Sequence, residues 1–236
     1  MRATFRCLAA LFLLSASQAE AGSLRVSPIT LDLRAPRSSA TLMLRNDSGQ
    51  PLNVQARIFR WTQNGGVDQY EPTTAVVVSP PATRLAPNVD YTIRVVRTSK
   101  APITAEESYR LIIDELPVKS VQRSNTINLV VRQSIPIFFR NSQSEPKVAW
   151  KLIRNGSKTK LVAQNTGNTR LKLADLSLQQ GKARLYGKKG LVGYVLAGAT
   201  VEWPVALQQR LGPSAVTVTA ESHRGAIHET VLVVGR

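Results

Sequence analysis

An all-β chain of two tandem immunoglobulin-like β-sandwiches is what this sequence predicts, on three observations. Short runs with two-residue alternation or β-branched side chains recur along the chain, turn chemistry separates them, and no useful segment beyond the N-terminal leader has a helical period. A polar, aperiodic break at residues 141–146 divides the runs into two sets of roughly seven, the strand count of such a sandwich.

The leader comes first. Arg2 and Arg6 precede an apolar core at residues 7–14, and Ala19-Glu20-Ala21 has the small-x-small form of a cleavage site, so residues 1–21 read as a secretory signal. The apolar core is far shorter than the roughly 20 residues that cross a bilayer. Cys7, the one cysteine, leaves with the leader, so the exported chain is expected to carry no disulfide.

In the first set, runs at residues 24–33, 40–45, 52–61, 75–79, 91–98, 108–115 and 125–140 are separated by turns such as Asn46-Asp47-Ser48-Gly49, Asn64-Gly65-Gly66 and Pro80-Pro81. The second set comprises 148–153, 160–165, 170–178, 183–186, 200–205, 215–221 and 227–234, with punctuation at Asn155-Gly156, Gly167-Asn168, Gly187 to Gly190, and Gly212-Pro213. The expected units are therefore residues 22–142 and 143–236.

The run at 125–140, NTINLVVRQSIPIFFR, is too long and too apolar for an ordinary surface strand. Ile127, Leu129, Val131, Ile135 and Ile137 share one face, broken by Gln133, while Pro136 on the other face lacks an N–H and marks an edge strand or a local break. Such an apolar row either packs its own core or is offered to a partner.

The formal net charge is +16, with the basic residues scattered rather than blocked. For an exported chain this favours anionic lipid or polysaccharide, acidic proteins or free carboxylates, and not nucleic acid. Catalysis finds no support: there are two histidines and no nucleophile elbow or HExxH spacing. His223 and His228 would face opposite sides of one strand, so no metal site is expected, nor any cofactor. Glu106, Glu107, Asp114 and Glu115 read as strand-end charges plus an ion pair.

Four separated motifs carry a resemblance. Ser79-Pro80-Pro81 with Arg84-Leu85-Ala86-Pro87, Tyr91-Thr92-Ile93-Arg94, Glu107-Ser108-Tyr109 running to Glu115-Leu116-Pro117, and Ile135-Pro136-Ile137-Phe138-Phe139-Arg140 are similar in order and spacing to PapD-like periplasmic pilus chaperones. Asn165-Thr166-Gly167-Asn168 extends the likeness weakly into the second half. The resemblance implies two sandwiches set as an L or boomerang around a cleft. It further implies binding of pilus subunits in the periplasm, donor-strand completion of their fold through Ile127, Leu129 and Val131, and delivery to an outer-membrane usher. Free donor strands of this kind can also pair with one another.

In the best-known branch, two basic residues hold the subunit's C-terminal carboxylate. The matching positions here are Pro28 and Pro136, which cannot, so the chain is closer to the archaic or alternative branch. Arg110, a cation amid Tyr109, Leu111, Ile112 and Ile113, is the candidate anchor; an internal ion pair or a solvent-facing edge position is the competing account. Arg132 is the second candidate. The resemblance also implies a structural ion pair, Arg94 with Glu107, holding the interdomain angle. A module for anionic glycan or lipid headgroups is the rival function, although Trp61, Trp150 and Trp203 sit singly in apolar runs and read as core rather than stacking platforms.

Overall fold

Alternation decides the inside of every sheet. The computed structural model describes residues 24–116 and 130–235, and among these there are strands and no helix. In chain order the first ten strands are β1 (Leu24–Ser27), β2 (Leu31–Arg34), β3 (Ser39–Asn46), β4 (Leu52–Asn64), β5 (Val67–Pro72), β6 (Val76–Ser79), β7 (Ala82–Leu85), β8 (Asp90–Arg97), β9 (Glu107–Leu116) and β10 (Arg132–Arg140). The other eight are β11 (Val148–Asn155), β12 (Lys158–Asn165), β13 (Leu171–Gln180), β14 (Ala183–Val195), β15 (Thr200–Pro204), β16 (Val216–Ser222), β17 (Gly225–Val231) and β18 (Val233–Val234).

Two sheets, β1-β3-β8-β6 and β2-β10-β9-β4-β5 with β7 against β4, face each other in the first half. Ile93 and Val95 of β8 meet Tyr109, Leu111 and Ile113 of β9 and Ile135, Ile137 and Phe139 of β10 in one core. The second half stacks β15-β12-β11-β18 on β14-β13-β16-β17 around Leu152, Leu161, Leu173, Val195 and Val218. This is the all-β, two-sandwich architecture expected.

Several runs divide differently from their sequence pattern. Residues 24–33 form two strands in opposite sheets, β1 antiparallel to β3 and β2 parallel to β10, because the chain crosses between sheets at Pro28–Thr30. The glycines at 187 and 190 do not end a strand. β14 runs straight through them, its irregularity taken up by register shifts opposite Ala174 to Leu176, where Asp175 adopts a φ of 49°. Gly167 is required by close approach: a Cβ there would stand 2.3 Å from the Glu145 carbonyl, so any side chain would push the connecting segment off the second sandwich.

Candidate functional site

The outer face of the first sandwich's larger sheet looks across at the second sandwich. Even-numbered residues of β9 and β10 point there, the pairings Pro136–Arg110–Phe59 and Phe138–Ser108 lay them in rows across the sheet, and Trp61 follows Phe59 by two residues on the same face of β4. Trp61 and Phe138 join Tyr194, Leu196 and Ala199 of the second sandwich in a small buried cluster, with Trp61 edge-on to Tyr194 at 5.4 Å. Gln63 clips the same strand: its amide donates to the Tyr194 carbonyl at 3.0 Å and its oxygen accepts from Leu196 N–H at 2.9 Å.

A buried charge network completes the junction. Glu106 accepts from Thr169 Oγ1 at 2.6 Å, from Arg170 N–H at 3.0 Å and from the Arg170 guanidinium, while its own N–H donates to the Asn168 carbonyl at 2.8 Å. Arg170 continues to Asp32, 2.8 Å away, and lies 3.5 Å over the Phe138 ring. Asp32 also bonds Arg140, so burial, which works to raise its pKa, is outweighed by Arg170 and then Arg140, and the net shift is downward. Asn165 positions all this. Its amide donates to the carbonyls of Thr169, Val195 and Leu196, and its oxygen accepts from Lys147 and Gly167, fixing the turn that presents Arg170.

His223 stands beside this network. Although it is exposed by area, loss of solvation and then the charges of Arg170 and Arg224 push its pKa down to about 4. An unfolded imidazole takes its proton near pH 6.5, so this contribution is neutral above that pH and destabilises the fold as pH falls from 6.5 towards 4. His223→Gln is expected to flatten the decline of Tm across that window and leave Tm at pH 8 unchanged, with a shallow slope because the ring is solvent-screened. A slope unaltered by the substitution would assign the decline to the carboxylates instead. Asp32, Glu107 and Asp114 are all lowered, so their stabilising contribution is full above the ordinary carboxylate range and is lost as pH falls from that range through their lowered pKa values.

The Arg94–Glu107 ion pair is not formed. Glu107 bonds Arg97, at 2.7 and 2.8 Å, and Arg94 instead donates to Ser39 Oγ. Parity explains the difference: Arg97 shares the inward face of β8 with Ile93 and Val95 and so meets the inward Glu107, whereas Arg94 faces solvent. This pair closes one end of the first sandwich, and the contacts between sandwiches are made by Glu106 and Arg170. In the sequence Glu106 reads as a strand-end charge, and Arg170 does not stand out.

Above the junction opens a cleft cavity of about 710 Å³, lined by Trp61, Arg110, Ser134, Pro136, Lys172 and Tyr194 among others. Arg110 lines it, and no carboxylate bonds it among the described residues. Its guanidinium lies 3.8 Å over Trp61 and 5.7 Å from the Tyr194 ring, and its buried Nε has no acceptor; the Trp61 indole N–H also lacks one. Nearby, burial and then the Asp68 charge raise the Tyr70 pKa, with Arg110 acting in the opposite sense. Arg132, the second candidate, is tied to Asp114, which also holds Arg57, and its side chain is 67 % exposed. Trp150 and Trp203 stack on each other at 6.4 Å within the second sandwich, and Trp61 belongs to the junction.

β10 forms the rim of the cleft. Val131 accepts from Glu115 N–H of β9 and Arg140 accepts from Ala35 N–H beyond β2, so odd residues bond β9 and even residues face the β2 side. β2 pairs with β10 only from Ile137 onward. Arg132 and Ser134 therefore present backbone N–H and C=O groups to no strand among the described residues, and Pro136 sits where the cover begins. Val131 lies on the core parity of Ile135 and Ile137 and is half-buried; Ile127 and Leu129 lie outside the described residues.

Solved structures share this architecture. The archaic chaperone CsuC, from the CsuC–CsuE chaperone–tip adhesion subunit complex of Acinetobacter baumannii pili, is similar over 91% of this chain and 100% of that one, with a TM-score of 0.70 at 23% identity. The E. coli chaperone DraB matches over 88% and 97%, with a TM-score of 0.59 at 21% identity. The Salmonella enterica SafA pilin–SafB chaperone complex matches over 89% and 97%, with 0.62 at 19%. No curated protein matches by sequence. Residues 23–145 match the family described as pili and flagellar-assembly chaperone, PapD N-terminal domain, and the chain belongs to that family.

Proposed function

We propose that this chain is a periplasmic chaperone, exported by the cleaved signal at residues 1–21, that lends a strand to the incomplete sheet of a pilus subunit and passes the subunit to an outer-membrane usher. The observation that carries the proposal is the open edge of β10 at Arg132 and Ser134, beside a cleft whose arginine has no carboxylate partner among the described residues. A sandwich lacking one strand exposes an apolar groove and unpaired backbone, both unfavourable in water. An added strand supplies main-chain hydrogen bonds while alternate side chains fill the groove.

Val131 continues the core-facing parity of Ile135 and Ile137, and in the sequence Leu129 and Ile127 follow at the same two-residue spacing. Each such side chain is worth roughly 1.5–3 kcal/mol when fully buried. We assign the subunit's C-terminal carboxylate to Arg110, whose planar guanidinium suits bidentate bonding in a partly desolvated cleft. The prolines at 28 and 136 accord with the archaic branch. The two folding units are taken as residues 22–142 and 143–236.

Co-expression with a pilus subunit from the same source, followed by pull-down, tests the reading. Wild type is expected to yield a stable one-to-one complex, and Leu129→Asp, still folded by circular dichroism, to lose it. Capture of no subunit by wild type, or equal capture by the variant, would sink donor-strand action.

A further inference from the structure

We infer that Lys172 of the second sandwich is the other half of the carboxylate site, so that the subunit's terminal carboxylate is held from both sandwiches at once; this rests on the anchoring role proposed for Arg110. Lys172 on β13 is directly opposite Tyr194 on β14. Residues opposed in this way point to the same side of a sheet, with Cβ atoms about 4.5–5.5 Å apart. Tyr194 turns that side to the cleft, edge-on to Trp61 at 5.4 Å and with the Arg110 guanidinium 5.7 Å from its ring. Lys172 and Arg110 thus flank one aromatic ring and line one cavity of about 710 Å³.

Lys172 is half-buried, and no carboxylate or other hydrogen-bond partner meets its ammonium among the described residues. Three other buried or half-buried basic side chains are paired, Arg97 with Glu107, Arg140 with Asp32, and Arg170 with Glu106 and Asp32, and half-buried Arg60 bonds the Tyr109 hydroxyl. Asp68 also lines the cavity, but its oxygens accept from Gln63 at 2.9 Å and from Tyr70 at 3.2 Å. Two cations facing a partly enclosed space repel unless an anion comes between them. A carboxylate fits, since its two oxygens offer about four acceptor sites, enough for a guanidinium fork and an ammonium together.

The two cations sit on different sandwiches. A bound chain end is therefore an interdomain ligand, and its position along the cleft is set by both walls.

The test uses two versions of the co-expressed subunit, one with its native C-terminus and one extended by Gly-Ser-Gly-Ser, which moves the carboxylate. Dissociation constants are measured for wild type, Lys172→Met, Lys172→Arg, Arg110→Ala and the Arg110→Ala/Lys172→Met pair, each checked for an unchanged Tm. Lys172→Met is expected to weaken the native-ended subunit about tenfold and Arg110→Ala about a hundredfold, while Lys172→Arg stays within about threefold of wild type. With the extended subunit the Lys172→Met effect disappears. If Lys172→Met binds the native-ended subunit like wild type while Arg110→Ala does not, this inference fails and the Arg110 anchor stands. Equal weakening of both subunit versions would mean that Lys172 contributes packing or general charge, which also overturns it. If neither substitution matters, the Arg110 anchor falls as well, and if wild type captures neither version the chaperone reading falls with both.

Discussion

Glu106→Ala is expected to lower the free energy of unfolding by about 3–5 kcal/mol, the usual consequence of removing one partner from a buried ion pair. The Glu106 side chain is fully buried and that of Arg170 is 5 % exposed, so the guanidinium left behind would retain only Asp32, itself shared with Arg140. Thr169 Oγ1 and the Arg170 N–H would lose their acceptor at the same time. Urea denaturation of wild type and variant measures the loss directly. Adding Arg170→Met to Glu106→Ala is expected to recover part of it, because a neutral pair has no uncompensated charge to desolvate. A loss below about 1 kcal/mol for the single variant would show that water replaces the carboxylate and that the junction is not held by charge.

Phe138→Ala is expected to cost a similar amount, about 3–5 kcal/mol, through a different mechanism. Phe138 is fully buried, with Trp61 at 5.9 Å and Tyr194 at 5.8 Å, and it supplies the face on which Arg170 lies. Truncation opens a cavity between two sandwiches, each with its own core, so the junction is expected to fail before either core does. Denaturation should then separate into two steps, with the aromatic circular dichroism of Trp61 and Tyr194 lost in the first. A single cooperative transition with an unaltered slope would refute that sequence of events.

Alternation made the cores legible: Ile93, Val95, Tyr109, Leu111, Ile135 and Ile137 are inside because every second residue of their strands must be. It says which residues face inward but not which sheet a strand joins. Hence residues 24–33 read as one strand while Pro28 to Thr30 carry the chain from one sheet to the other. The glycines of β14 misled for a related reason, since local turn chemistry competes with a long edge strand whose partner absorbs the irregularity.

In the cleft, Arg110 was legible because a cation in an apolar strand is locally anomalous. The Glu107 partner was assigned to the right strand and the wrong parity, Arg94 in place of Arg97. Glu106 showed only as one of a cluster of strand-end carboxylates, and Arg170 gave no local signal. An acid at the start of a strand and an arginine after a turn are ordinary in isolation, and only the approach of two sandwiches makes them one buried unit. Lys172 is similarly unremarked along the sequence, because what distinguishes it is the absence of a nearby opposite charge in three dimensions.

The junction also limits how this molecule can be recombined. An apolar seam between two modules tolerates a foreign neighbour of roughly matching shape, but here the seam depends on a carboxylate at 106, a guanidinium at 170 and a bidentate carboxamide at 63. A chimaera that joined the first sandwich to the second sandwich of a relative with other residues at these positions would bury an unmatched charge. The two halves are thus separate as folds but paired as chemistry.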